Sequence, residues 1–184
     1  IGNATTWPFP VQYRVVREAT PDRVVRNDAR LLVDRFIDAA KDLVASGCDG
    51  ITTSGKLMPQ DLARLAAIGV RHVVNLALDS HPEAMAGEAE LLAAHRIAYT
   101  HIPVPFDAPT RDHVKALEAA LTAHPGPTHV HCIMNWRVSA FFYLIDRARG
   151  VAEPTARAQM AKVWNPLEDE SAPQVWRDLL PGAR

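Results

Sequence analysis

The chain has 184 residues, which suits one compact domain, or one domain with an appended segment, and is enough to bury a core without disulfide staples. With 48% hydrophobic residues, 22% charged residues and a formal charge of -1, it has no basic excess to draw nucleic acid or an anionic membrane surface, so any bound anion must be held locally. Its two cysteines, Cys48 and Cys132, are too few for a disulfide framework and suit a reducing compartment.

No apolar run nears the roughly 20 residues needed to span a bilayer, and no signal-peptide pattern is visible, so a cytoplasmic location is expected. The opening IGNATTWPFPVQYRVV mixes glycine, prolines and aromatics before a β-branched run. From about 29 to 46, ARLLVDRFIDAAKDLVAS puts Leu31, Leu32, Phe36, Ala39, Ala40 and Leu43 near one helical face, with Gly47 as the stop. GITTS reads as a short strand. MPQDLARLAAIG reads as a helix with Pro59 in its first turn and Gly69 at its end. The grammar then repeats: strand VRHVVNLAL, helix EAMAGEAELLAAHR, strand IAYTHIPV, helix TRDHVKALEAALTAH capped by Thr110, strand PTHVHC, helix RVSAFFYLIDRARG. Helical segments over about 153–164 and 173–180 finish the chain. Alternating strands and helices predict an α/β fold, a parallel-rich sheet with helices on both faces.

In this register Cys132 falls just past the carboxyl end of the strand THVH, and a helix starts near Arg137. Ligands of open α/β sheets sit beyond the carboxyl ends of the strands, where helix N-termini offer free NH groups to anions. The four residues between them, Ile133, Met134, Asn135 and Trp136, can wrap backbone NH groups around a tetrahedral oxyanion, and the planar fork of Arg137 suits two of its oxygens. The same field favours a thiolate at Cys132. Ser139, just inside the helix, can donate a hydrogen bond to the sulfur or simply cap or back-bond within the helix.

His131, Cys132, four residues, Arg137 and then Ser139 resemble the phosphate-binding loop of cysteine-dependent protein tyrosine and dual-specificity phosphatases. TTSGKLMPQDLARLAAIGVRHVVNLA, YTHIPVPFDAPT and HVHCIMNWRVSAF together resemble a bacterial branch of that family with a shortened loop, over about 51–180. The usual loop has five residues and a central glycine; here there are four, with Asn135 at the turn, the residue next most tolerant of positive φ. The resemblance implies hydrolysis of a phosphate monoester through a phosphocysteine, with a phosphorylated protein or small molecule as substrate and no metal or cofactor. It also implies an aspartic acid that protonates the leaving oxygen. Asp107, on a loop between a strand and a helix at the same sheet edge, is the first choice, with Asp112 and Asp79 in reserve.

The short loop is also the size found in rhodanese-like sulfurtransferases, which keeps a persulfide reaction as the alternative. A phosphate-binding or chimeric domain with little activity is the third reading. Cys48 reads as a small core residue. His129, His131 and His101 lack the regular spacing of a metal site, so His131 is expected to order the loop and His129 to pack. Trp136 either borders the pocket or packs. Residues 1–54 resemble part of the aspartate/glutamate racemase superfamily, with Gly55 where that family's reactive cysteine would follow ITTS. They are expected to pack on or extend the sheet of a phosphatase-like domain at 55–184, as in a fusion or engineered recombinant.

Overall fold

The computed structural model describes residues 50–51 and 57–180. The readings of residues 1–54 as a racemase-like segment, including the helix over 29–46 and the role of Cys48, lie outside these residues apart from Gly50 and Ile51.

Four parallel strands form one sheet in the order β1-β4-β2-β3: β1 (Gly50–Ile51), β2 (His72–Asn75), β3 (Ala98–His101) and β4 (Thr128–His131). The parallel-rich α/β fold expected from the alternating pattern is the one observed. β4 and β2 are the inner strands, and Asn75 of β2 lies opposite His101 on one side and His131 on the other. All four residues of β2 and of β4 are buried, polar ones included, as inner strands of a sheet covered on both faces are.

Alternation along β2 separates two cores. Val73 joins Leu62, Leu65, Leu92 and Ile97, contributed in part by α1 (Pro59–Ala67) and α2 (Glu88–Ala94). Val74 joins the larger core beneath α3 (Arg111–Ala123), α4 (Trp136–Ala148), α5 (Glu153–Met160) and α6 (Gln174–Leu179). None of the described helices is long and apolar enough to cross a membrane.

Local signals set most boundaries. The Thr110 hydroxyl accepts from the His113 backbone NH at 3.3 Å, capping α3 as expected. Gly69 and Gly150 take the left-handed conformation just past α1 and α4 (φ 95 and 86). Two helices are shorter than their patterns predict. α2 begins only at Glu88 because Gly87, at φ 67, turns the chain there. α5 stops at Met160, and Trp164, where its pattern was expected to end, is buried and donates Nε1–H to Asp169 Oδ2 at 2.8 Å.

At the amino end of the sheet, buried His72 has Thr100 Oγ1 at 2.8 Å from Nε2 and Thr128 Oγ1 at 3.4 Å from Nδ1. Burial, with His124 adding like charge, lowers its pKa from 6.5 to about 4. The unfolded chain therefore binds this proton more readily than the folded one between those values. Stability should be flat above about pH 6.5 and fall as pH drops toward 4. Urea titrations across that range should show the loss, and His72→Gln should flatten it; an unchanged slope in the variant would assign the effect elsewhere.

Candidate active site

Ladder-like bonds run on past the strand ends and fix the site's frame. Leu76 NH donates to His131 O at 2.8 Å, Ile102 NH to Asn75 O at 2.9 Å and Val104 NH to Leu76 O at 3.3 Å. These carry the register into three neighbouring segments: 132–137 after β4, 76–79 after β2 and 102–107 after β3.

Cys132 follows β4 directly and is fully buried. Its backbone NH donates to Asn135 Oδ1 at 2.8 Å, folding the side chain of Asn135 back across the base of the loop. Asn135 takes φ 56, ψ 19 as the residue before α4, so the positive φ anticipated at this asparagine is present. The turn closes four residues after Cys132 and delivers the chain into the helix. The backbone NH groups of Ile133, Met134, Asn135, Trp136 and Arg137 find no acceptor among the described residues. Together with the helix N-terminus they make a set of donors suited to an oxyanion.

Arg137 is buried to all but 8%, yet its guanidinium is only partly engaged. Nε donates to Val104 O at 2.8 Å, and the guanidinium carbon lies 5.3 Å from the Phe106 ring centroid. The two Nη groups keep their donors free of the protein among the described contacts, so a planar pair remains for an anion. Phe106 is itself held by aromatic rings: Trp136 at 5.8 Å, Trp164 at 5.6 Å and Trp176 at 5.5 Å. Trp176 Nε1–H also donates to Phe106 O at 2.7 Å. Trp136 packs, stacked on Trp164 at 5.2 Å and 15°.

Asp107 follows Phe106 in the turn after β3 and is exposed. The reserves sit differently. Asp112 lies in the first turn of α3 and pairs with Lys115 at 3.0 Å, and Asp79 lies 3.5 Å from His101 with a side chain 79% exposed. Of the three, only Asp107 adjoins a residue that contacts both Arg137 and Trp136. Of the two roles open to Ser139, its hydroxyl takes the local one: it donates to Trp136 O at 3.0 Å, back-bonding within the first turn of α4.

His131 lies behind Cys132, with Nε2 at 2.7 Å from Glu88 Oε1 and Nδ1 at 3.3 Å from Cys132 O. The other Glu88 oxygen accepts from Asn75 Nδ2 at 2.8 Å and from Tyr99 OH at 3.3 Å. A shallow cleft beside Cys132 is bounded in part by Leu57, Met85, Glu88 and Ile133. His129 packs at 5.5 Å from the His131 ring. Sequence reasoning missed Glu88, Asn75 and Tyr99, because each has an ordinary local reading: a first-turn acid, the last residue of a strand, a strand aromatic. It also missed Trp176, whose link to Phe106 spans 70 residues.

Residues 45–149 match the family model described as "Beta-lactamase hydrolase-like protein, phosphatase-like domain". The chain belongs to this family. This phosphatase-like domain also resembles solved structures, among them a Shewanella putrefaciens protein described as a candidate phosphatase, with 30% identity and a TM-score of 0.61 over 73% of this chain and 85% of that one. A Neisseria meningitidis protein described in the same way has 18% identity and a TM-score of 0.59, over 74% and 94%. P. aeruginosa TpbA, solved in complex with phosphotyrosine, has 18% identity and a TM-score of 0.52, over 71% and 78%. At this level of identity the last two speak for the fold. No curated protein matches the chain.

Proposed function

We propose that this phosphatase-like domain hydrolyses a phosphate monoester through a phosphocysteine at Cys132. The observation that carries the reading is the juxtaposition, after adjacent strand ends, of a cysteine, a loop of unpaired backbone NH groups and the free Nη pair of Arg137. Membership of the phosphatase-like family supports it.

In the first step the Cys132 sulfur attacks phosphorus, an S–P bond forms as the ester P–O bond breaks, and Asp107 gives its proton to the leaving oxygen. Loop NH groups and Arg137 hold the non-bridging oxygens as their charge shifts. In the second step water attacks phosphorus, Asp107 takes its proton, and the S–P bond breaks to return the thiolate. No metal or cofactor has a part in either step. Ile133, Met134, Asn135 and Trp136 serve through their backbone.

One observation favours a second reading, an anion-binding domain with little turnover. Cys132 has no exposed surface and Arg137 spends its Nε on Val104, so loop side chains must shift before phosphorus can approach sulfur.

Rapid quench with an aryl phosphate labelled at phosphorus tests the choice. A covalent phosphoenzyme of Cys132, formed in a burst and then hydrolysed, is the expected result. Stoichiometric binding of phosphate without a covalent adduct would install the binding reading instead, and turnover of thiosulfate with cyanide would indicate a sulfurtransferase. Asp107→Asn should slow hydrolysis of an alkyl phosphate by about 10²-fold, the usual scale of general-acid assistance, with far less effect on a nitrophenyl ester whose leaving group needs no proton. An equal effect on both esters would turn attention to Asp79 or Asp112.

A further inference from the structure

Behind the loop, the Glu88 carboxylate is buried to all but 5% and its two oxygens are divided between tasks. Oε2 accepts from Asn75 Nδ2 at 2.8 Å and from Tyr99 OH at 3.3 Å. Asn75 is fixed in turn, since its Oδ1 accepts from the Ala77 NH at 2.7 Å. Burial, with the neighbouring carboxylate adding to it, raises the Tyr99 pKa, so its hydroxyl stays a donor throughout the working range. Three groups on β2, β3 and the segment after β2 thus aim one carboxylate. Its remaining oxygen meets His131 Nε2 at 2.7 Å.

The His131 ring, itself buried, has an oxygen at each nitrogen: Glu88 Oε1 at one and Cys132 O, at 3.3 Å, at the other. A carboxylate and a carbonyl both only accept, so the two contacts are hydrogen bonds together when the ring carries a proton on each nitrogen, as an imidazolium. A peptide unit is planar and trans, so its C=O and N–H point in opposite directions. Holding Cys132 O toward His131 therefore turns the Ile133 NH the other way, away from His131.

We propose that Glu88 is a positioning residue for the oxyanion: through His131 it fixes the Cys132–Ile133 peptide and so aims the first NH of the loop. The inference rests on the phosphate-monoester reading for its link to rate, but not for its link to anion binding. A carboxylate that served the fold alone could be replaced by glutamine with a cost in stability and none in anion affinity. One that aims the loop makes anion affinity depend on His131.

The test is a double-mutant cycle on the full chain with Glu88→Gln, His131→Asn and the pair, with vanadate as the probe and its dissociation constant read from tryptophan fluorescence. Glu88→Gln should weaken vanadate about 10- to 50-fold, the scale of losing one well-aimed donor. His131→Asn should do the same, and the double variant should be no worse than either single one, because both act on one peptide. Aryl phosphate kcat/KM should fall in parallel. Additive losses, or a lowered melting temperature with unchanged vanadate affinity, would overturn the proposal. If Glu88→Gln does not fold, Tyr99→Phe removes one donor to the same oxygen and should weaken vanadate about 2- to 5-fold, on the scale of a single neutral hydrogen bond; no change there would overturn it equally. A wild type that binds vanadate but hydrolyses no phosphate ester would defeat the phosphatase reading while leaving this cycle readable.

Discussion

Cys132→Ser should abolish turnover of an aryl phosphate, lowering kcat by about 10⁴-fold or more, because the serine hydroxyl is a weak nucleophile at its free pKa whereas the reaction is built on a thiolate. The fold should survive. The backbone NH at this position keeps its bond to Asn135 Oδ1, since that contact does not involve the replaced side chain. A hydroxyl in the fully buried site costs on the order of 1 to 3 kcal/mol if it finds no partner. Circular dichroism and phosphate binding would therefore report a folded protein with an intact anion site, and steady-state assays a dead one. Residual activity above a few per cent would remove Cys132 from the mechanism and with it the phosphocysteine.

Trp176→Ala should be the most damaging change away from the loop. Trp176 is fully buried on α6, its ring within 5.5 Å of Phe106, 5.5 Å of Trp164 and 6.0 Å of Phe141. Truncating a buried tryptophan costs about 3 to 5 kcal/mol, which for a chain of this size lowers the melting temperature by on the order of 10 °C. Activity should suffer further, measured well below that temperature, because the Phe106 carbonyl loses its donor and Asp107 is the next residue along. Trp176→Phe separates the two effects: most of the packing stays and only the indole NH is lost. A phenylalanine variant that keeps both its stability and its rate on alkyl phosphates would show that the hydrogen bond to Phe106 has no bearing on catalysis.

The layout of strands and helices was legible because the signals are local: a run of buried valines, a capping threonine, a glycine or proline at an end. So was the loop, since a cysteine after a strand, an asparagine able to turn left-handed and an arginine entering a helix fall within six consecutive residues. The contacts that aim the loop were not. Glu88 meets His131 across 43 residues, Arg137 meets Val104 across 33 and Trp176 meets Phe106 across 70. Nothing in GEAELL separates an acid that complements a helix dipole from one turned inward, because the distinction depends on where α2 crosses the sheet. Ser139 shows where spacing alone cannot choose: it fitted a role at the sulfur and back-bonding equally, and the Trp136 carbonyl took the hydroxyl. The late start of α2 follows from a breaker, Gly87, that periodicity alone overran.

The burial of Cys132 also bears on how the protein ages in an oxidising environment. Peroxide converts a cysteine thiolate to a sulfenic acid and then, irreversibly, to higher acids, and it does so only where it can touch sulfur. With no solvent contact at this sulfur, the rate of inactivation is set by how often the loop opens rather than by the peroxide chemistry. An anion seated in the loop would stand between peroxide and the sulfur. Phosphate in the surroundings would then act as a preservative for the thiol, and the half-life of activity under peroxide would become a clock for loop opening.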